Sequence, residues 1–135
     1  MNAFPNLFEQ ISIGPMQLKN RVVMAPMATH FADADGAVTQ RMIDYYAERA
    51  RGGAGLIITE SNYVDIRGRG GLNRLGLYDD SMLAGHGKLV QAIHAEGSKV
   101  CVQLHHAGRS ANRAAIGEIP IAPTASDAAR EMTLK

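Results

Sequence analysis

Three short apolar runs punctuate the chain: Val22-Val-Met-Ala25, Leu56-Ile-Ile58 and Val100-Cys-Val102 with Leu104. Each is too short for a helix, is rich in β-branched residues and is bounded by Gly, Pro or Asn, so core strands are predicted near 21–26, 55–60 and 99–104. The run at 55–60 lacks alternation, as expected of a strand covered on both faces of a parallel sheet. Pro26 ends the first strand because it has no N–H for a ladder and restricts Ala25 before it. Between the first two runs, Met42, Ile43, Tyr46, Ala47 and Ala50 recur at helical spacing. Thr39 serves as N-cap, the helix runs through Arg51, and Gly52-Gly53 stops it. Between the second and third, Leu83, Leu89, Val90 and Ile93 form a stripe, capped by Asp80 or Ser81 and ended by Gly97. Gly85 and Gly87 weaken that helix by ~1 kcal/mol each relative to alanine. Strand, helix, strand, helix, strand implies parallel pairing through crossovers. Ahead of this series, alternating residues around Gly14-Pro15 predict a β-hairpin over 7–18. Residues 61–80 and the Pro120- and Pro123-containing tail from Ser110 to Lys135 read as irregular loops.

Composition narrows the function classes. With 46% hydrophobic and 20% charged residues among 135, the chain is an ordinary globular sequence able to build a core. Fourteen basic residues stand against 13 acidic ones, which gives nucleic acid no electrostatic handle. No signal peptide opens the sequence and no apolar run reaches membrane-spanning length, so a cytoplasmic protein without a membrane or nucleic-acid partner is expected. The single cysteine, Cys101, cannot close an intrachain disulfide and is read as a small buried strand residue in a reducing compartment. With only three strands and two helices, the outer strands stay apolar and unprotected. The sequence reads as unfinished, with association through exposed strand edges as a consequence.

The chemistry gathers where the third strand ends, at Gln103, His105, His106 and Arg109, because parallel α/β folds bind ligands at the carboxyl ends of their strands. Taken alone, Gln103 reads first as a buried amide satisfied by backbone. His105 and His106 are adjacent on an extended strand, point to opposite faces and do not share an ion, so no metal is expected. Arg67, Arg69 and Arg74 read first as part of a solvated loop and second as contacts to a phosphate or a CoA tail. Gly68-Arg-Gly-Gly71 lacks the strand-to-helix setting of a phosphate loop. Asp79 and Asp80 read as helix-capping charges, and Met42, Tyr45 and Tyr46 as helix packing.

Four ordered motifs, Leu18-Lys-Asn-Arg-Val-Val-Met-Ala-Pro-Met27, Tyr45-Tyr-Ala-Glu-Arg-Ala50, Gly55-Leu-Ile-Ile-Thr-Glu60 and Gln103-Leu-His-His-Ala-Gly-Arg109, together resemble the Old Yellow Enzyme family of flavin-dependent NAD(P)H oxidoreductases. The likeness is greatest to the branch with 2,4-dienoyl-CoA reductase, 2-enoate reductase and trimethylamine dehydrogenase. It implies an α/β fold, the N-terminal portion of a TIM (β/α)8 barrel. Such a barrel takes ~250 residues, and residues 1–135 would supply a hairpin lid and about three βα units of an FMN-binding domain. By resemblance, the backbone of Ala25, Pro26 and Met27 passes the flavin and Ala28 stands beside it, where some relatives carry Cys or Thr. Ser61 also lies beside the ring, and Gln103 bonds its pyrimidine edge, a task that suits an amide with one donor and one acceptor. His30 and His105 fall around the substrate, and His106 is structural. The implied activity is ping-pong hydride transfer from NAD(P)H through FMN to an activated alkene or similar oxidant. The catalytic histidine pair and the flavin phosphate site are expected beyond residue 135, and a longer parent protein of this branch is compatible with [4Fe-4S] and FAD groups. The alternative is a non-catalytic fragment acting as a folding and association unit.

Overall fold

The structure, a computed structural model, describes residues 4–131. A one-turn helix, α1 (Pro5–Phe8), opens it, and an antiparallel hairpin follows from β1 (Ile11–Ile13) and β2 (Met16–Leu18). The hairpin is therefore shorter than the predicted 7–18. Pro5 at the first helical position favours a helical turn through Leu7 and Phe8 instead.

The predicted first core strand contracts from 21–26 to β3 (Val23–Met24). Asn20 is the cause at one end: its side-chain oxygen takes the Val22 N–H at 3.0 Å while its amide donates to Gly53 O at 2.7 Å, diverting the backbone from the ladder. Pro26 ends the strand at the other. Helix α2 (Gln40–Arg51) starts at Thr39, whose hydroxyl accepts from Met42 N–H at 3.3 Å. Strand β4 (Leu56–Tyr63) runs three residues past its predicted end. A 3-10 turn (Asp80–Met82) leads into α3 (Leu83–Ala95), and its cap is Asp79, which accepts from Ser81 N–H at 2.9 Å, not Asp80 or Ser81. Gly85 lets α3 pass close to the segment before α2, where a Cβ would make a tight 3.1 Å contact with Val38 Cβ. Strand β5 (Lys99–His105) completes a parallel sheet in the order β3-β4-β5.

Register decides what each face does. Met24, Ile57 and Val100 are Cα partners in one row across the sheet. They turn toward Met42, Tyr46 and Ala50 of α2 and Leu89 and Ile93 of α3, the buried core. Lys19 ties the far end together, donating to Ala50 O at 3.4 Å and Glu96 O at 2.9 Å, so one cation serves the C-terminal carbonyls of both helices.

The tail is more ordered than the predicted loop. Asn112 caps α4 (Arg113–Ile116), and β6 (Ile121–Ala122) pairs with β7 (Arg130–Glu131); residues 132–135 of that prediction lie outside the described residues. No helix among the described residues is long and apolar enough to cross a membrane.

Candidate functional site

A β-bulge builds the site. Ile58 pairs with Cys101, but the next partner of β5, Gln103, faces Ser61, so β4 carries one extra residue between the two pairs. One extra residue reverses the side-chain alternation beyond it. Without the bulge, Ser61 and Tyr63 would share the helix-facing parity of Ile57. With it, Ser61 partners Gln103 and Tyr63 partners His105 on the face away from the helices. Thr59, Glu60 and Asn62 are left buried at the crossing point.

Those buried polar groups are tied into the neighbouring loops. Glu60 N–H donates to the Tyr46 hydroxyl at 2.8 Å, and burial pushes that phenol's pKa above its ordinary value. Glu60 Oε2 accepts from Thr29 N–H and Oγ1. Glu60 Oε1 and Asn62 Oδ1 have no partner among the described residues.

A cavity of about 390 Å³ opens on this face, bounded by Ser61, Tyr63, Gly70, Arg74, His105, Ala107 and Ser110. Its outer wall is the 65–78 segment, which is not the solvated loop predicted. Tyr63 N–H donates to Leu75 O at 3.0 Å and Leu77 N–H to Tyr63 O at 2.9 Å. Arg69 is buried, donates to Ala34 O at 2.6 Å and Gly71 O at 3.0 Å, and lies over the Tyr63 ring at 5.6 Å. Tyr63 stacks on Tyr78, and both hydroxyls donate to Asp35 O. Arg67 is engaged with Asp65, whose carboxyl its hydrogen bonds hold down at about 2.

The residues singled out from sequence fall in different places. Ser61 and His105 line the cavity. Gln103 is exposed beside Ser61, and its amide has no partner among the described residues, in contrast to the buried, backbone-satisfied amide its residue type alone suggests. Ala25, Pro26, Met27 and Ala28 follow β3 as an irregular, mostly exposed stretch, and His30 has a left-handed φ of 57° with Nδ1 3.4 Å from Leu72 O. His106 packs over Gly68 and accepts from Gly108 N–H at 3.0 Å. Cys101 is a correction: it is exposed, not buried, because it lies on the same face as Gln103, away from the helices. Tyr63 and Ser110 carry no sequence signal of their own, since polar Thr59, Glu60, Ser61 and Asn62 disguise the strand that delivers Tyr63. No group of three or more His, Cys, Asp or Glu side chains among the described residues is placed to hold a metal ion.

Comparison with known proteins agrees with this architecture. The chain is 48% identical over 126 residues to an NADH oxidase of Thermoanaerobacter brockii, covering 92% of this chain and 19% of that protein. It is 54% identical over 97 residues to an NADH:acrylate oxidoreductase of Vibrio harveyi, covering 72% of this chain and 10% of that one. The structure superposes on the old yellow enzyme homologue from Zymomonas mobilis with a TM-score of 0.88 at 33% identity, over 96% of this chain and 40% of that one. A 2-naphthoyl-CoA reductase in complex with 2-naphthoyl-CoA matches at 0.90 and 34%, over 96% of this chain and 23% of that one. The fold is thus a portion of an α/β barrel, and the relatives are NADH- and NADPH-dependent oxidoreductases. The family model for NADH:flavin oxidoreductases and NADH oxidases matches residues 6–135, and the chain belongs to that family.

Proposed function

We propose that this chain forms one wall of an FMN site in an NAD(P)H oxidoreductase that reduces an activated alkene or a similar oxidant. The observation that carries the reading is the Ser61–Gln103 pair: the bulge puts a hydroxyl beside an unpartnered primary amide at the carboxyl end of a parallel sheet. The fit to a flavin is chemical. An amide oxygen and nitrogen together match a ring edge that displays both a donor and an acceptor. FMN, when bound, supplies hydride transfer between nicotinamide and oxidant. Gln103 would orient the ring's pyrimidine edge, and Ser61 would contact its plane. The backbone from Ala25 to Ala28 would flank it, steadied through Thr29 by Glu60. His30 and His105 would face the substrate, with catalytic groups supplied from beyond residue 135. In a longer parent protein, [4Fe-4S] and FAD groups would extend the electron path. The test is anaerobic: NADH or NADPH added to the FMN-loaded chain should bleach flavin absorption, and more slowly in Gln103→Ala. Bound flavin that neither nucleotide reduces would contradict the activity.

A second reading, association through strand edges, is favoured by one observation. Each outer strand has a single partner in the sheet of described residues, and Leu104 on β5 is 64% exposed. Sedimentation would then show concentration-dependent self-association that Leu104→Lys weakens; a monomer at all concentrations would exclude it.

A further inference from the structure

We infer that the cavity binds an anionic group, a carboxylate or a phosphate, of the molecule that enters it, through the guanidinium of Arg74. The inference rests on the reading of the same wall as a flavin site and adds the charge of its ligand. Three observations carry it.

The first is a difference among neighbouring arginines. Arg69 is spent on two carbonyls and Arg67 on Asp65, whereas the partly buried Arg74 side chain has no hydrogen bond or ion pair among the described residues and lines the cavity. The second is the lining itself. Ser61, His105 and Ser110 bring polar side chains, the Tyr63 hydroxyl being spent on Asp35 O, and no carboxylate lines the cavity. The nearby acids are turned elsewhere, Asp35 Oδ1 accepting from Ala37 N–H at 3.2 Å and Asp65 paired with Arg67. The third is preorganisation. Asn73 adopts a left-handed φ of 52° and donates to Ala32 O at 2.9 Å, while Leu75 is fully buried and its carbonyl accepts from Tyr63 N–H. The backbone on both sides of Arg74 is therefore fixed. With that backbone fixed, only side-chain freedom remains to be lost, and the planar guanidinium offers a fork that pairs with two oxygens of one anion.

The carboxylate of an enoate and a phosphate of the nicotinamide dinucleotide carry the same chemistry, and the test separates them. Crotonate, crotonamide and NADH are titrated into the chain, following backbone amide NMR shifts of Ser61, His105 and Ser110, in the parent, Arg74→Gln and Arg74→Lys. Loss of one charge-assisted contact should weaken the anion about tenfold in Arg74→Gln, with partial recovery in Arg74→Lys and no change for crotonamide. Weakening of crotonate identifies a substrate carboxylate; weakening of NADH alone identifies the dinucleotide phosphate. Equal binding of both anions to the parent and Arg74→Gln overturns the inference, as does a matching loss for crotonamide. Flavin fluorescence in the same samples keeps the two readings apart. Arg74-dependent shifts without flavin binding would overturn the FMN site alone, and flavin binding with Arg74-indifferent anions would overturn the anion site alone.

Discussion

Glu60 holds Thr29 with one carboxylate oxygen, accepting from its N–H at 3.0 Å and from its hydroxyl at 2.5 Å. The Thr29 hydroxyl in turn accepts from Phe31 N–H at 3.2 Å. Since β3 contributes only two ladder residues, this clamp fixes the stretch after it to β4. Two hydrogen bonds to a buried carboxylate are lost in Glu60→Ala, so a destabilisation of about 3 kcal/mol is expected in urea unfolding. Glu60→Gln keeps an acceptor and should lose less. Equal stability of Glu60→Ala and the parent would show that the loop is held by other contacts.

Gly36 sits at φ +91°, and a Cβ built there would lie 2.2 Å from the Tyr63 hydroxyl oxygen. Gly36→Ala therefore combines an unfavourable backbone conformation with displacement of a cavity-lining ring. A cost above about 1 kcal/mol is expected, read as a lowered urea midpoint at unchanged slope. A midpoint that does not move would mean the loop shifts freely away from Tyr63.

The acid limb of stability has one identifiable contributor. Hydrogen bonds from the Arg67 side chain, helped by its N–H and by the nearby His106 and opposed by burial, hold Asp65 at about 2 against an ordinary value of 3.8. A carboxyl depressed in the folded state stabilises above its unfolded pKa and loses that contribution as pH falls through the folded value. The window is thus pH 4 down to 2. With the Arg67 side chain 43% exposed, the contribution is at most about 1 kcal/mol. Asp65→Asn should flatten the stability curve in that window alone; an unchanged acid limb would remove the pair from the ledger.

The sequence carries the helices and the parallel order openly, because Thr39, Gly52-Gly53 and the Met42–Tyr46–Ala50 spacing act locally. It hides the site, for a physical reason. A bulge is one residue of slack between two strands, set by partners distant in sequence, and periodicity within β4 cannot show it. The same reversal accounts for Tyr63, a buried wall residue beyond a polar stretch that looks like loop. Arg69 and Cys101 are misread in opposite directions. Arg69 is drawn inside by the carbonyls of Ala34 and Gly71, and Cys101 is carried outside by its parity with Gln103. The family motifs locate Ser61 and Gln103 in the chain, but the register makes them neighbours.

The most direct measurement is an FMN titration of the chain by flavin fluorescence, with circular dichroism confirming that parent and Gln103→Ala are equally folded. Saturable binding, weakened about tenfold by loss of the amide contacts in Gln103→Ala, is the expected result. Folded protein that leaves flavin fluorescence unchanged, or that binds FMN equally well without the Gln103 amide, would contradict a flavin wall built on the Ser61–Gln103 pair.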